Sequence, residues 1–198
     1  IYYFMKRLLA YLFLVLVLNF SLQSWTKADD ISDFQIEGIS VGDSLLDYFK
    51  KDEILKYLYP KSKKFAQTLH EIDNGTYDLI RAHYKTNDKK LIIYGVGGIL
   101  FFTKNFHECY RLEKEIIKDL ELMFPNAKKD VQGKISHWAD PSGKSTYTYT
   151  AFILEEGIIS IECTDWSKNF EKNENQTDAL SVMIDLNEYH EWLSTEAH

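Results

Sequence analysis

Basic side chains and cysteines are both scarce in this sequence. Only 23 lysines and arginines stand against 30 acidic residues, and the 198 residues include two cysteines. An acidic surface repels phosphate backbones, which removes the counterion-release effect that drives most nucleic-acid binding. We therefore expect no nucleic-acid partner, and for the same reason no binding to an anionic membrane surface.

Apolar runs long enough to span a membrane are also lacking. The run that follows Lys6 and Arg7 is unbroken only over residues 8–18, whereas a membrane-spanning helix needs about 20 apolar residues. A basic start, a short apolar run and a polar stretch ending in a small residue, Ala28, are typical of a secretory signal peptide. We predict cleavage after Ala28, with residues 1–4 as an extension upstream of the natural start. The alternative is an uncleaved N-terminal anchor.

Cleavage would leave residues 29–198 as a single domain, which is long enough to bury a core without a structural metal. The removed residues carry three basic side chains and no acidic one, so the net charge changes from −7 to −10. No cysteine lies near the cleavage point to carry a lipoprotein's acyl anchor. We therefore predict a mature protein with no stable membrane span, located in the periplasm or secreted.

Metal and cofactor motifs are missing as well. The six histidines are scattered, and none is paired at i, i+4 spacing on a predicted helix, so we expect no metal site. The segment Gly143-Lys144-Ser145-Thr146 resembles the end of a phosphate-binding loop. The motif needs a glycine five residues earlier, where Trp138 stands, so we expect no cofactor.

The two cysteines lie where both side chains would face a core. Cys109 falls on the apolar stripe of a helix predicted over residues 105–124. Strand alternation groups Cys163 with Ile159 and Ile161. We predict a disulfide, which would close a loop of about 54 residues and add ~4 kcal/mol of stability. Two buried thiols and a functional thiol are the alternatives, although His107 cannot face Cys109 within one helix.

The order of predicted elements favours an α+β fold, since no alternation of strands and helices demands a parallel sheet. We expect an antiparallel sheet of about five strands with one long helix packed on one face and short helices at the N-terminus. Residues 167–178 lack an apolar period and are predicted to be an exposed loop. The five strands are predicted over residues 77–84, 90–103, 145–154, 157–166 and 180–186.

Three features are candidate binding sites. His137, Trp138 and Asp140 cluster in a predicted loop, where functional residues are common. Tyr147 and Tyr149 share one face of a strand, which is typical of cross-strand packing but also of a ligand or partner surface away from the helix. The glycines of residues 95–98 indicate a bulge, or a groove in which a ligand approaches the backbone.

Three segments resemble a group of small exported bacterial proteins, found in marine bacteria, that have no assigned activity. They are residues 36–46 (Ile-Glu-Gly-Ile-Ser-Val-Gly-Asp-Ser-Leu-Leu), residues 109–110 (Cys-Tyr) and residues 160–167 (Ser-Ile-Glu-Cys-Thr-Asp-Trp-Ser). The resemblance spans most of the predicted mature chain and supplies no catalytic residues.

The functional expectation is a non-enzymatic interaction or ligand-binding module with an unknown protein or small ligand as its partner. One alternative is a small hydrolase that uses the loop around His137 and Asp140, which requires both side chains to converge on a pocket. The other is a carrier of a small ligand beside residues 95–98.

Overall fold

The computed structural model describes residues 30–197 except 55–56 and 60–61. The predicted signal peptide lies outside the described residues. One antiparallel sheet of eight strands dominates the fold, in the order β1-β2-β3-β4-β8-β7-β6-β5. The strands are β1 (Tyr57–Leu58), β2 (Phe65–Glu71), β3 (Leu79–Lys85), β4 (Ile93–Phe101), β5 (Lys128–Ser136), β6 (Thr146–Ile153), β7 (Gly157–Asp165) and β8 (Ala179–Leu186).

Helices form a smaller part of the described chain. They are α1 (His107–Met123), α2 (Lys168–Glu174) and α3 (Asn187–Thr195), with short 3-10 turns at Ile31–Asp33 and Leu45–Asp47. No helix within the described ranges is long and apolar enough to cross a membrane.

The predicted fold class is wrong. The sheet has eight strands instead of about five, and it is the main element of the fold. The sequence pattern predicts neither β2 nor β5. Every residue of β5 is exposed, so its sequence carries no alternation to detect. The sequence predicts two short helices near the N-terminus. The first is a 3-10 turn at Leu45–Asp47, and the two-residue strand β1 stands in the place of the second.

The predicted exposed loop at residues 167–178 is also corrected, because it contains α2. Ser167 caps this helix by accepting a hydrogen bond from the backbone N–H of Phe170 at 3.4 Å. Asn175 ends it in the left-handed conformation. Because α2 has no buried residue, its sequence resembles a loop even though its caps are those of a helix.

The sheet has two different faces, which we call the helix face and the open face. On β7 the buried residues Ile159, Ile161 and Cys163 point to the helix face, and the side chains between them point the other way. Cys109 of α1 forms a disulfide with Cys163, with 6.0 Å between the Cα atoms. The predicted disulfide is therefore confirmed, and neither thiol is free.

One end of the open face is covered by α3. Tyr189 and Trp192 of this helix are buried against Phe65 of β2, with ring centroids 5.2 and 5.0 Å from the Phe65 ring. Beyond α3 the open face forms a concavity above the central strands, and this concavity is the candidate functional site.

Candidate functional site

The open face carries an elongated depression, which we call the sheet-face groove. Two adjoining cavities of about 660 and 460 Å³ make it up. They are continuous because Arg81, His137 and Glu162 line both of them. A volume of this size falls in the range of small-molecule sites.

Two glycines of β4 let side chains of the neighbouring strands lie over the groove floor. Gly97 lies opposite Arg81 on one side and Met183 on the other. A β-carbon at Gly97 would lie 1.9 Å from the Met183 sulfur, and one at Gly95 would lie 2.3 Å from Oδ1 of Asp185. Since neither glycine has a side chain, those of β3 and β8 converge above β4. This fits the prediction of a groove beside residues 95–98, which remains a prediction as a ligand site.

Arg81 is the only cation on the groove floor among the described residues that line it, apart from the histidines. Its Nε atom is buried and makes no hydrogen bond within the described part of the chain. No carboxylate of the described residues lies within 4.0 Å of its guanidinium nitrogens. Arg81 is half-buried and lines both cavities, so its guanidinium is a donor group of the groove that no described carboxylate accepts from.

Asp185 and Glu162 are the two carboxyl groups of the groove. Asp185 is only 8% exposed, and its Oδ1 has no hydrogen-bond partner among the described residues. Burial raises the pKa of Asp185 to about 7, although Arg81 acts in the opposite direction. Burial also raises the pKa of Glu162, against a hydrogen bond from the Thr164 hydroxyl and the charge of Arg81.

His83 and a pair of tyrosines form the wall beside α3. His83 is 4% exposed and stacks on Tyr189 with ring centroids 4.4 Å apart. Burial, and then Arg81, lower the pKa of His83 well below its ordinary value, so the ring is neutral at physiological pH. The hydroxyl groups of Tyr59 and Tyr189 are hydrogen-bonded, and burial raises the pKa of both.

The structure brings three of the predicted binding residues to this groove. His137, Trp138 and Tyr149 line it, and Trp138 is 80% exposed. Tyr147 packs edge-on against the His137 ring, with centroids 5.3 Å apart. These four residues lie together at one end of the open face. Their role in binding remains a prediction.

Asp140 lines neither cavity of the groove, although its backbone N–H donates a hydrogen bond to the carbonyl oxygen of His137 at 3.1 Å. Its carboxylate accepts hydrogen bonds from the backbone N–H of Ser142 and Ser145 at 2.9 and 3.0 Å. It also accepts them from the hydroxyls of Ser145 and Ser167 at 2.6 and 3.1 Å. These bonds, those to Ser145 above all, hold the pKa of Asp140 well below its usual range. The side chain stabilises the turn between β5 and β6.

His137 and Asp140 therefore do not form an acid–base pair facing the groove. Nδ1 of His137 accepts a hydrogen bond from the Ala139 backbone N–H at 3.1 Å. Its ring packs on Trp166 with centroids 4.2 Å apart. No group of three or more metal-ligating side chains occurs in the part of the chain described by the structure.

Sequence reasoning missed the charged residues of the groove floor. Each of Arg81, Glu162 and Asp185 stands between apolar residues in an alternating strand, where a solvent-exposed face is the ordinary expectation. The signal that could have found them is the low apolar content of this face of the sheet, which also carries Ser181 on β8 and Tyr149 on β6.

Comparisons with family models, with curated proteins and with solved structures find no match to this chain.

Proposed function

We propose that this protein is an exported, non-enzymatic binding module that takes a small polar ligand in the sheet-face groove. The observation that carries the proposal is the set of buried polar atoms without hydrogen-bond partners around one cavity. Arg81 Nε, His83 Nδ1 and Asp185 Oδ1 belong to this set. An unsatisfied buried polar group costs about 1–3 kcal/mol. The three atoms are closed to solvent, but their side chains line the cavity, so a polar ligand can bond to the accessible atoms of the same guanidinium, imidazole and carboxyl groups.

Export is supported by the disulfide, since structural disulfides persist mainly in oxidising compartments. The predicted signal peptide and the resemblance to small exported bacterial proteins are in keeping with that location and remain part of the proposal. The hydrolase alternative is less favoured because the Asp140 carboxylate is engaged in its turn and lines neither cavity of the groove.

The test of this proposal is a ligand screen with a variant that fills the groove. Ser160 lines the groove floor, so Ser160→Phe places a ring where the ligand would lie. Ser194→Phe is the matched control, because Ser194 is exposed on α3. The screen measures Tm with neutral, anionic, cationic and zwitterionic compounds at millimolar concentration, followed by calorimetry.

We expect at least one compound to raise the Tm of the wild type and of Ser194→Phe, as a ligand that binds only the folded state must. The same compound should leave the Tm of Ser160→Phe unchanged. A screen with no stabilising compound, or a shift that persists in Ser160→Phe, would contradict the proposal.

A further inference from the structure

We infer that the ligand of the sheet-face groove is a zwitterion, a small molecule that carries a carboxylate and an ammonium a few bonds apart, as a free amino acid does. This inference rests on the proposed function and specifies its ligand class. It is argued from the placement of one cation and two carboxyl groups that face the same cavity without pairing.

The three charged side chains share the open face. Arg81 is on β3, Asp185 on β8 and Glu162 on β7, and the register puts all three on the face opposite Cys163. Each carboxyl group is electrostatically coupled to Arg81. None is within ion-pair distance of it in the described part of the chain.

The strand order explains why these groups do not meet. Neighbouring strands lie about 4.8 Å apart, so the backbones of β3 and β8 are separated by about 10 Å and those of β3 and β7 by about 14 Å. In the register Gly97 lies between Arg81 and Met183, whose side chain fills the space above the glycine. Asp185 and the cross-strand partner of Glu162 lie two residues from Met183 in opposite directions along β8. The sheet therefore holds the three charged side chains apart, and all three line the cavity of about 660 Å³.

A ligand with a single charge fits this arrangement poorly. An anion that binds Arg81 is brought towards two carboxyl groups, and a cation that binds the carboxyl groups is brought towards Arg81. A neutral sugar leaves the guanidinium of Arg81 without a counter-charge. A molecule with both charges gives Arg81 a counter-charge, places a cation beside a carboxyl group and adds no net charge to the groove.

The atoms available define the orientation. The ligand carboxylate accepts hydrogen bonds from the guanidinium of Arg81, which pairs with no described carboxylate and whose fork matches a carboxylate. The ammonium lies towards Glu162, which faces Tyr149 directly across β6 and β7. The Tyr149 ring, which also lines the cavity, provides an aromatic surface for the ammonium or the ligand side chain.

The experiment measures the binding of each common L-amino acid by calorimetry. For each one that binds, it then tests the carboxamide, which lacks the carboxylate, and the deaminated acid, which lacks the ammonium. We expect an amino acid to bind, and both analogues to bind at least about tenfold more weakly, because each loses a charge-assisted hydrogen bond. Equal affinity of either analogue would overturn the inference.

Two variants assign the charges. Arg81→Met should abolish binding, whereas the control Arg111→Met should leave it unchanged, because Arg111 is paired with Glu108 and Glu115 on α1. Glu162→Gln keeps the size of the side chain. It should weaken binding of the amino acid at least about tenfold but not weaken binding of the deaminated acid, a contrast that a general loss of folding cannot produce.

These measurements can contradict the zwitterion inference without contradicting the proposed binding function. Suppose that a sugar or a simple anion binds in a manner sensitive to Ser160→Phe while no amino acid does. The proposed binding function is then supported and the zwitterion inference is overturned. If no compound of any class binds, both are contradicted. Equal weakening of the amino acid and its deaminated analogue by Glu162→Gln also overturns the inference.

Discussion

At the scale of single residues, the groove floor runs against the usual preference for apolar or paired side chains in a buried position. Asp185 shows this most clearly, because no described residue bonds to its Oδ1. The charged and titratable side chains around it come from four different elements or segments. These groups are Arg81, His83, Tyr149, Tyr59 and Tyr189.

We predict that Asp185→Asn stabilises the protein at alkaline pH. The folded-state pKa of Asp185 is raised from 3.8 to about 7, so the folded protein retains a proton that the unfolded chain has released. Stability of the wild type therefore falls as the pH rises from about 4 to about 7. An asparagine does not ionise, and the variant should gain about 4 kcal/mol over the wild type above pH 7.

The measurement is urea unfolding of both proteins at about pH 4.5 and about pH 8. The lowered pKa of His83 destabilises both proteins as the pH falls below 6.5, so it cancels in the difference. Asp130→Asn, at an exposed position of β5, is the control and should change stability by less than about 0.5 kcal/mol. A difference that is the same at both pH values would refute the prediction for Asp185.

A second residue-scale prediction concerns the glycine at the centre of the floor. In Gly97→Ala the new β-carbon would lie 1.9 Å from the Met183 sulfur, which can move, and 2.7 Å from the Val182 carbonyl oxygen, which is backbone. Overpacking of this kind costs about 1–3 kcal/mol. Gly133→Ala is the matched control, since nothing lies within 4 Å of its β-carbon position.

Denaturant midpoints of the two alanine variants test this account. We expect the midpoint of Gly97→Ala to be clearly lower than that of the wild type and the midpoint of Gly133→Ala to change little. Adding Met183→Ala to Gly97→Ala should restore only part of the lost stability, because the close contact with the Val182 carbonyl oxygen remains. Equal midpoints for the two variants would show that Gly97 is not required for the close approach.

At the scale of elements, the sequence predicts most strands with one buried face, but it misses β2, whose buried residues include two neighbours, Phe65 and Ala66, and the fully exposed β5. The hairpins β3-β4 and β6-β7 are predicted and confirmed by their pairing, because their apolar residues follow a period of two. β5 is exposed on both sides and pairs with β6 alone. It is held by backbone hydrogen bonds, which leave no pattern in the sequence.

The prediction at this scale concerns the disulfide that joins α1 to β7. The disulfide Cys109–Cys163 spans 54 residues, and a bond across a loop of this length stabilises a fold by ~4 kcal/mol through the entropy of the unfolded chain. The double variant Cys109→Ala/Cys163→Ala should lose about that amount in urea unfolding. A reducing agent should lower the wild-type midpoint to the same degree and leave the variant unchanged.

At the scale of the whole molecule, the groove is a product of strand order. Arg81 and Glu162 are 81 residues apart in the chain and come to one cavity only because β8 inserts between β4 and β7. Local patterns predict which strands exist and which way a side chain points, but not which strands are neighbours. The aromatic end of the groove was accessible to sequence reasoning because His137 and Trp138 are adjacent. The charged floor was not.

The last prediction concerns export of the whole chain, and intact mass measures it. The protein is produced with residues 1–28 in a bacterial host and recovered from the periplasm. Its mass under denaturing conditions should be that of the chain that begins at Asp29. The mass should also be lower by two hydrogens, from the disulfide. Because processing needs a small residue at the cleavage point, Ala28→Trp should leave the leader attached. A full-length wild-type mass, recovered with the membrane fraction, would instead identify residues 8–18 as part of an anchor.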